Sequence, residues 1–352
     1  MDGKRLSVVI PTRNRARLLG EALASLTRQT LPRELYEVIV VDDGSTDATP
    51  QVCRAFEHDL DLVYLPIPPS GIAAAKNEGI RAAKGDVLFF FDDDDVAGAE
   101  LLGGHLDAHL RRPEPEVVVL GYTSWSPFLP VTPVMEYTTE IGMEVFSYPL
   151  VREGRELGFD HFWGGRSSCK RNFLLERGMF DPGFTWGLED VELGYRLSRE
   201  GLRIVFDPRL VSYANRPLDY DDVCRRCEAI GQALISLATA HPEPEILRYC
   251  RLENPIAGRT GRPDEAARLW REAEKDLDER VERARALERR VVRRSPIERW
   301  RRSHQLAIRA SWRVDPQRRA LRRLYASTFA DFRIKGAAEA LAEHEAARAS
   351  AA

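Results

Sequence analysis

Short, mostly apolar runs alternate with helix-periodic segments through the first third of the chain. Leu6–Ile10, Tyr36–Val41, Leu62–Leu65, Val87–Phe91 and Val117–Leu120 are rich in β-branched side chains and bounded by turn residues. Such runs predict short strands, the all-apolar ones buried on both faces. Between them, about Arg15–Arg28, Ala48–Phe56, Ile72–Ala83 and Ala99–Arg111 carry helical spacing. Strands alternating with helices of this length predict right-handed βαβ units, hence an α/β fold with a mostly parallel sheet flanked by helices. In such sheets the ligand crevice lies beyond the carboxyl ends of the strands.

Beyond this region the pattern changes. Residues 121–160 mix Pro, Trp, Tyr and Phe without period, which predicts a lid or substrate loop. Lys170–Arg177 and Glu189–Glu200 are helical, and Arg203–Phe206 predicts another strand. From Asp219 onward the pattern is helical almost throughout. Pro263 opens a long helix whose apolar positions Leu269, Ala273, Leu277, Val281, Ala284, Leu287 and Val291 recur at spacings of three and four. Pro296 and Pro316 divide the remainder of the chain into further helices.

Polar residues gather where the strands should end. Pro11-Thr12-Arg13-Asn14 follows the first run, Asp42-Asp43-Gly44-Ser45-Thr46-Asp47 the second, and Asp92-Asp93-Asp94-Asp95 the fourth. Each alone suits a loop or a helix cap. Three such clusters on one sheet edge predict a nucleotide site. Four adjacent carboxylates repel one another unless something positive joins them, and Mg²⁺ or Mn²⁺ takes carboxylate oxygens together with substrate phosphates.

In order along the chain stand Ser-Val-Val-Ile-Pro-Thr-Arg-Asn at 7–14, Val-Ile-Val-Val-Asp-Asp-Gly-Ser-Thr-Asp at 38–47 and Gly-Ile-Ala-Ala-Ala-Lys-Asn-Glu-Gly-Ile at 71–80. Phe-Phe-Phe-Asp-Asp-Asp-Asp comes next at 89–95, and Trp-Gly-Leu-Glu-Asp-Val-Glu-Leu-Gly-Tyr-Arg-Leu at 186–197. This series resembles the family 2 glycosyltransferases, closely over residues 5–110 and again over 163–213. The resemblance implies a GT-A nucleotide-sugar domain at 1–218, with a nucleotide half at 1–120 and an acceptor half at 121–218, followed by a helical region at 219–352. It implies an inverting, metal-dependent hexosyltransferase acting on a nucleotide-sugar, with UDP-galactose, UDP-N-acetylgalactosamine or another UDP-hexose expected.

Carried over residue by residue, the resemblance places Pro11, Thr12 and Arg13 against the nucleotide base and Asp43 on uracil. An ionised carboxylate is acceptor-only and suits the uracil N–H. Asp93 is expected near the ribose and Asp94 on Mn²⁺ or Mg²⁺, with Asp92 and Asp95 in support. Asp190 is expected to be the catalytic base and Glu189 to bind an acceptor or sugar hydroxyl. Trp186 is expected to pack on sugar, as in galactosyl- and N-acetylgalactosaminyltransferases, or else to be core. Lys76 either approaches the diphosphate or is a solvated helix residue. One departure stands out: 208–215 contains no histidine, where many family members carry a further metal ligand, which leaves Asn215 or water to fill that place.

Composition narrows the rest. A net charge of −3 and 43% hydrophobic residues describe an ordinary globular chain. No apolar stretch approaches the roughly 18 residues of a membrane span, and no secretory signal is visible, so a cytoplasmic protein is expected. Five irregularly spaced cysteines fit reduced thiols, and the lone Cys224-x-x-Cys227 pair suits one helix face better than zinc. Arg289–Arg323 carries 13 arginines against Glu298 and Asp315. With Trp300, Leu306, Ile308, Trp312, Leu321 and Leu324 interleaved, it suits an anionic membrane surface, a second copy of the chain or an acidic acceptor polymer. Nucleic acid is not expected as a partner. The acceptor, a hydroxyl of a glycan, lipid-linked glycan or small molecule, has no motif. A sugar-nucleotide synthase would need a glycine-rich loop, and Pro11–Arg17 has no glycine. A degenerate, non-catalytic scaffold is the remaining alternative.

Overall fold

A computed structural model of the chain, describing residues 5–250, 263–291 and 302–351, gathers the apolar runs into one nine-stranded sheet. Leu6–Thr12 (β1), Tyr36–Asp42 (β2), Leu62–Pro66 (β3) and Val87–Phe90 (β4) pair in parallel in the order β3-β2-β1-β4. β2 and β4 are buried along their whole length and β1 over all but Pro11, as their mostly apolar character predicts; β3, at the edge, is half-buried. Ala16–Leu26 (α1), Thr49–Ala55 (α2) and Ile72–Ala82 (α3) connect them. Leu19, Ala22, Leu23 and Leu26 of α1 join Val8, Ile10, Val38 and Val40 in the main core.

The second half of the sheet departs from the predicted pattern. After Asp95–Ala97 (β5) and Leu101–Arg111 (α4), Val117–Trp125 (β6) runs five residues past its expected end. Leu120 pairs with Phe206 but Tyr122 with Val211 of Arg203–Ala214 (β9), so the ladder bulges at Gly121. The Leu210 carbonyl comes so near Gly121 that an added Cβ would lie 2.8 Å from it. A bulge with glycine reads in sequence as a strand end. β9 consequently continues through Pro208 for 12 residues. Glu156–Leu157 (β7) pairs antiparallel with it. Ser167–Lys170 (β8) enters antiparallel between β4 and β6, although no apolar alternation announces it. Its Ser168 hydroxyl is held by His105 Nδ1 (2.7 Å) and His109 Nε2 (2.9 Å) of α4; burial pushes both imidazoles down to about 3, so they are neutral. β5 closes the order by pairing antiparallel with the end of β9. Six of the nine strands point the same way.

These strands form one unit, of residues 5–129 and 150–216, which also holds Arg171–Arg177 (α6) and Glu189–Ser198 (α7). The second unit is helical and takes residues 130–149 with the described residues from 217 onward. It contains Pro133–Glu136 (α5), Tyr220–Ala240 (α8), Pro244–Tyr249 (α9), Pro263–Glu288 (α10), Arg302–Val314 (α11) and Pro316–Ala351 (α12). The predicted stripe of α10 is buried at Leu277, Val281 and Ala284. α8 and α12 cross at Gly231 and Gly336, where a side chain on either would overlap the other backbone.

One expectation for the basic segment is corrected by the structure. Trp312 is not a surface anchor: it is fully buried, and its Nε1 donates to Glu136 Oε2 at 3.0 Å. Ile308 and Leu321 are buried as well. Helix packing inside the unit claims the apolar face of this segment, and Arg318 pairs with the same Glu136. Pro296 and Trp300 lie outside the described residues. All five cysteines are free and buried, with burial pushing the Cys224 and Cys227 thiols up to about 12. Among the described residues no helix is long and apolar enough to cross a membrane.

Candidate active site

Three loops meet at the carboxyl ends of β1, β2 and β4, and they are tied to one another through side chains. Asn14, left-handed at φ 53°, accepts the Thr46 amide on Oδ1 at 2.7 Å, and its own amide donates to Ser45 Oγ at 2.8 Å. Asp42 caps the turn by accepting Ser45 N–H at 2.8 Å and Tyr64 O–H at 2.6 Å. Asp43 looks the other way and accepts the Ser70 amide at 2.6 Å and the Gly71 amide at 3.1 Å. The Arg13 guanidinium stands 3.8 Å from the same carboxylate. Gly71 in turn packs against Thr185, whose carbonyl accepts Ile72 N–H at 3.2 Å. Asp43 is therefore joined through two residues to the neighbour of Trp186, which is 46% exposed rather than core.

The acidic run carries its own counter-ions. Thr12 Oγ1 donates to Asp93 Oδ2 at 2.7 Å, and Arg15 Nη1 reaches Asp93 Oδ1 at 2.8 Å and Asp94 Oδ2 at 3.2 Å. Arg216 Nε stands 3.2 Å from Asp94 Oδ2. Arg166 holds Asp92 at 2.8 Å and lies 3.6 Å from Asp95, while its Nε donates to Thr123. Burial, opposed by Arg15, still pushes Asp93 up to about 6; burial pushes Asp95 up to about 8 and raises Asp94, whose next neighbour in charge is Asp92. Each shift is set first by burial, which disfavours the charged carboxylate.

Glu189 and Asp190 open α7 from a left-handed turn at Gly187 (φ 78°) and Leu188 (φ 61°). A branched-at-Cγ residue in that region is uncommon and directs the helix start inward. Lys76, 2% exposed, donates from Nζ to Glu189 Oε1 at 2.8 Å and stands over the Phe180 ring at 5.0 Å. The solvated reading of Lys76 is thereby overturned: α3 turns it into the site. Asp190 accepts the Gly164 amide at 3.0 Å and the Val191 amide at 2.8 Å. Burial first, then repulsion from Glu189, pushes Asp190 up to about 6 against the attraction of Lys76. The turn Trp163-Gly164-Gly165-Arg166 joins the two acidic groups. A side chain at Gly164 would overlap Lys76 Nζ, and one at Gly165 would overlap the Asp92 carboxylate.

Residues 7–137 match the sequence profile described as "Glycosyl transferase family 2". This segment belongs to family 2 of the glycosyltransferases. Among curated proteins the chain is similar to validoxylamine A glucosyltransferase of Streptomyces hygroscopicus subsp. jinggangensis, 37% identical over a 220-residue alignment that covers 56% of this chain and 52% of that protein. The chain spans about half the length of the first such relatives. Its fold is similar to that of mannosyltransferase PcManGT of Pyrobaculum calidifontis, solved with GDP-Man and Mn²⁺, at TM-score 0.57 and 22% identity over 94% of this chain and 86% of that one. It is also similar to S. aureus TarS 1–349, solved with UDP-GlcNAc, at TM-score 0.54 and 16% identity over 94% and 90% of the two chains. These likenesses establish the GT-A-like fold.

The glycosyltransferase domain has a donor set that fits a hard divalent cation. Asp92, Asp94 and Asp95 bring carboxylate oxygens within 4.8 Å of one another, and Asp95 Oδ1 is buried with no hydrogen-bond partner among the described residues. Carboxylate oxygens alone suit Mg²⁺ or Mn²⁺. Asn215 does not turn to this group: its amide nitrogen donates to Glu21, while its backbone N–H holds the Asp94 carbonyl at 2.8 Å. Sequence reasoning missed Arg15, Arg166, Arg216 and the Gly164-Gly165 turn. Only the glycine pair leaves a signal in the sequence, because adjacent glycines mark a turn or a close backbone approach.

Proposed function

We propose that the chain transfers a hexose from a UDP-sugar to an acceptor hydroxyl with inversion at the anomeric carbon. The observation that carries this reading is the turn 163–166, which sets a raised-pKa carboxylate, Asp190, beside an acidic run fitted for a divalent cation. Asp190 takes the acceptor proton as the acceptor oxygen attacks the anomeric carbon. The bond from that carbon to the diphosphate oxygen breaks, and its electron pair leaves with UDP. A general base with a pKa near 6 is well placed for this at neutral pH. Asp94, with Asp92 and Asp95, would hold Mn²⁺ or Mg²⁺, which when bound supplies positive charge to the leaving diphosphate. Asp43, with Pro11, Thr12 and Arg13, would hold the base, and Asp93 the ribose.

Lys76 fixes Glu189 beside the base, and Glu189 with the exposed Trp186 would face the transferred sugar or the acceptor. Galactose and N-acetylgalactosamine are favoured by the Trp186 segment, whereas the relative from Streptomyces is named a glucosyltransferase. The metal assignment is tested by calorimetry of Mn²⁺ with UDP. Asp94→Ala should weaken Mn²⁺-dependent UDP binding by about a hundredfold, on the scale of losing a charged partner. UDP binding that stays equally Mn²⁺-dependent in the variant would refute it.

Arg313, Arg319, Arg322 and Arg323 are exposed on α11 and α12 together with Leu306 and Val314. We read this face as a peripheral contact for an anionic lipid surface. Each arginine near such a surface contributes about 1 kcal/mol. The triple reversal R319E/R322E/R323E should therefore abolish sedimentation with phosphatidylglycerol vesicles; sedimentation that persists, or that is equal with phosphatidylcholine alone, contradicts the contact.

A further inference from the structure

The position of Arg216 is set by backbone, not by its own side chain. Ala214 pairs with Asp95 across β5 and β9, Asn215 N–H donates to the Asp94 carbonyl at 2.8 Å, and Ser212 Oγ donates to Asp95 Oδ2 at 2.9 Å. The ladder delivers residue 216 to Asp94 whatever its side chain does. That side chain is 40% exposed and meets the carboxylate through Nε alone, at 3.2 Å. Arg166 contrasts with it: 12% exposed, it reaches Thr123, Asp92 and Asp95 at once. One guanidinium is built in; the other is held at one point and has room to swing.

Asp94 Oδ2 accepts both Arg15 and Arg216, and the same carboxylate belongs to the acidic group that fits a divalent cation. A dication on that carboxylate would repel the guanidinium at Coulombic range. A displaced guanidinium beside a dication needs an anionic acceptor. The paired oxygens of a diphosphate match its fork of N–H donors, where a monodentate carboxylate contact uses only part of it. The charge count agrees. Four carboxylates, Asp92 to Asp95, face three guanidiniums, Arg15, Arg166 and Arg216. Fully ionised, the group carries one negative charge in excess, so a dication arriving alone leaves it positive, whereas a dication arriving with a diphosphate does not.

We propose that Arg216 is an exchangeable counter-ion: it occupies Asp94 in the empty site and transfers to the nucleotide diphosphate when cation and nucleotide bind together. The inference rests on the metal reading of Asp94 given above and adds a residue and a binding order to it. Arg216 thereby makes cation and nucleotide binding strongly cooperative, and by linkage each favours the other by the same factor.

Calorimetric titration of Mn²⁺, without nucleotide and with saturating UDP, tests this on wild type, Arg216→Ala and Arg216→Gln. Loss of the resident guanidinium should tighten binding of Mn²⁺ alone about tenfold and lower the Mn²⁺–UDP coupling factor at least tenfold, within the range of such couplings. Opposite signs in the two arms distinguish exchange from simple damage to the site, which weakens both. Unchanged or weaker binding of Mn²⁺ alone in both variants overturns the proposal. Asp94→Ala run in parallel separates the two levels. If that variant still takes up Mn²⁺ with UDP, the metal reading itself fails; if it does not and the Arg216 variants match wild type, only the exchange fails.

Discussion

Asp190→Asn should lower the rate of sugar transfer by about 10²- to 10⁴-fold, the usual contribution of a positioned general base. The substitution conserves volume and leaves one oxygen to accept the Gly164 or Val191 amide that Asp190 now accepts at 3.0 and 2.8 Å. What it removes is the ability to take a proton. Asp43, Asp93 and Asp94 lie at other strand ends, so affinity for the UDP-sugar should stay within about twofold, the pattern of an interaction made only in the transition state. Transfer assayed at saturating donor, beside donor binding by calorimetry, checks both halves. Full transfer with donor bound would remove Asp190 from the chemistry.

The pH dependence has a definite sign. Burial, then Glu189, pushes Asp190 up to about 6, and a base works only when deprotonated. The transfer rate should therefore fall as pH drops through about 6, rather than through the ordinary aspartate range near 4. Stability runs the other way for this group. The native carboxyl binds its proton more tightly than the unfolded one, so its contribution is fully present below about pH 4 and is lost as pH rises to about 6. A site that costs stability at working pH is one kept for chemistry rather than for folding.

The sequence carried the nucleotide half because its signals are local. β1, β2 and β4 are short, mostly apolar runs, and the polar clusters at their ends need only the parallel-sheet rule to converge. The acceptor half was less legible for a physical reason. β8 has serines at buried positions, of which Ser168 is held by two histidines 59 and 63 residues away in sequence, and no periodicity encodes a partner at that distance. β6 and β9 are interrupted by a bulge at Gly121 that looks like a terminus. The same limit hid the arginines. Arg15, Arg166 and Arg216 come from three separate segments, and only the assembled sheet edge shows that all three address one acidic run. Lys76 stood open between a diphosphate ligand and a solvated residue; its partner Glu189, 113 residues on, is what buries it.

That burial makes Lys76→Met the most destabilising substitution expected in the site. Lys76 and Glu189 are almost fully removed from water at 2.8 Å, and removing one partner of such a pair leaves the other as an uncompensated buried charge. The expected loss is about 3–5 kcal/mol, read as a lower midpoint in urea unfolding. Activity should report the same change independently. Lys76 attracts the charged form of Asp190 and so restrains its upward shift; without it the acidic limb of the rate profile should move above pH 6. The double variant Lys76→Met/Glu189→Leu turns this into a signed test. Replacing both partners by apolar groups of similar size is often neutral for stability, so the urea midpoint should return towards wild type. Repulsion from Glu189 outweighs attraction by Lys76 at Asp190, so the limb should move back down once both are gone. A single variant as stable as wild type, with its limb in place, would show that Lys76 holds neither Glu189 nor the base. A double variant that recovers stability but not transfer would instead assign Glu189 to the sugar or the acceptor, the role its place beside Asp190 suggests.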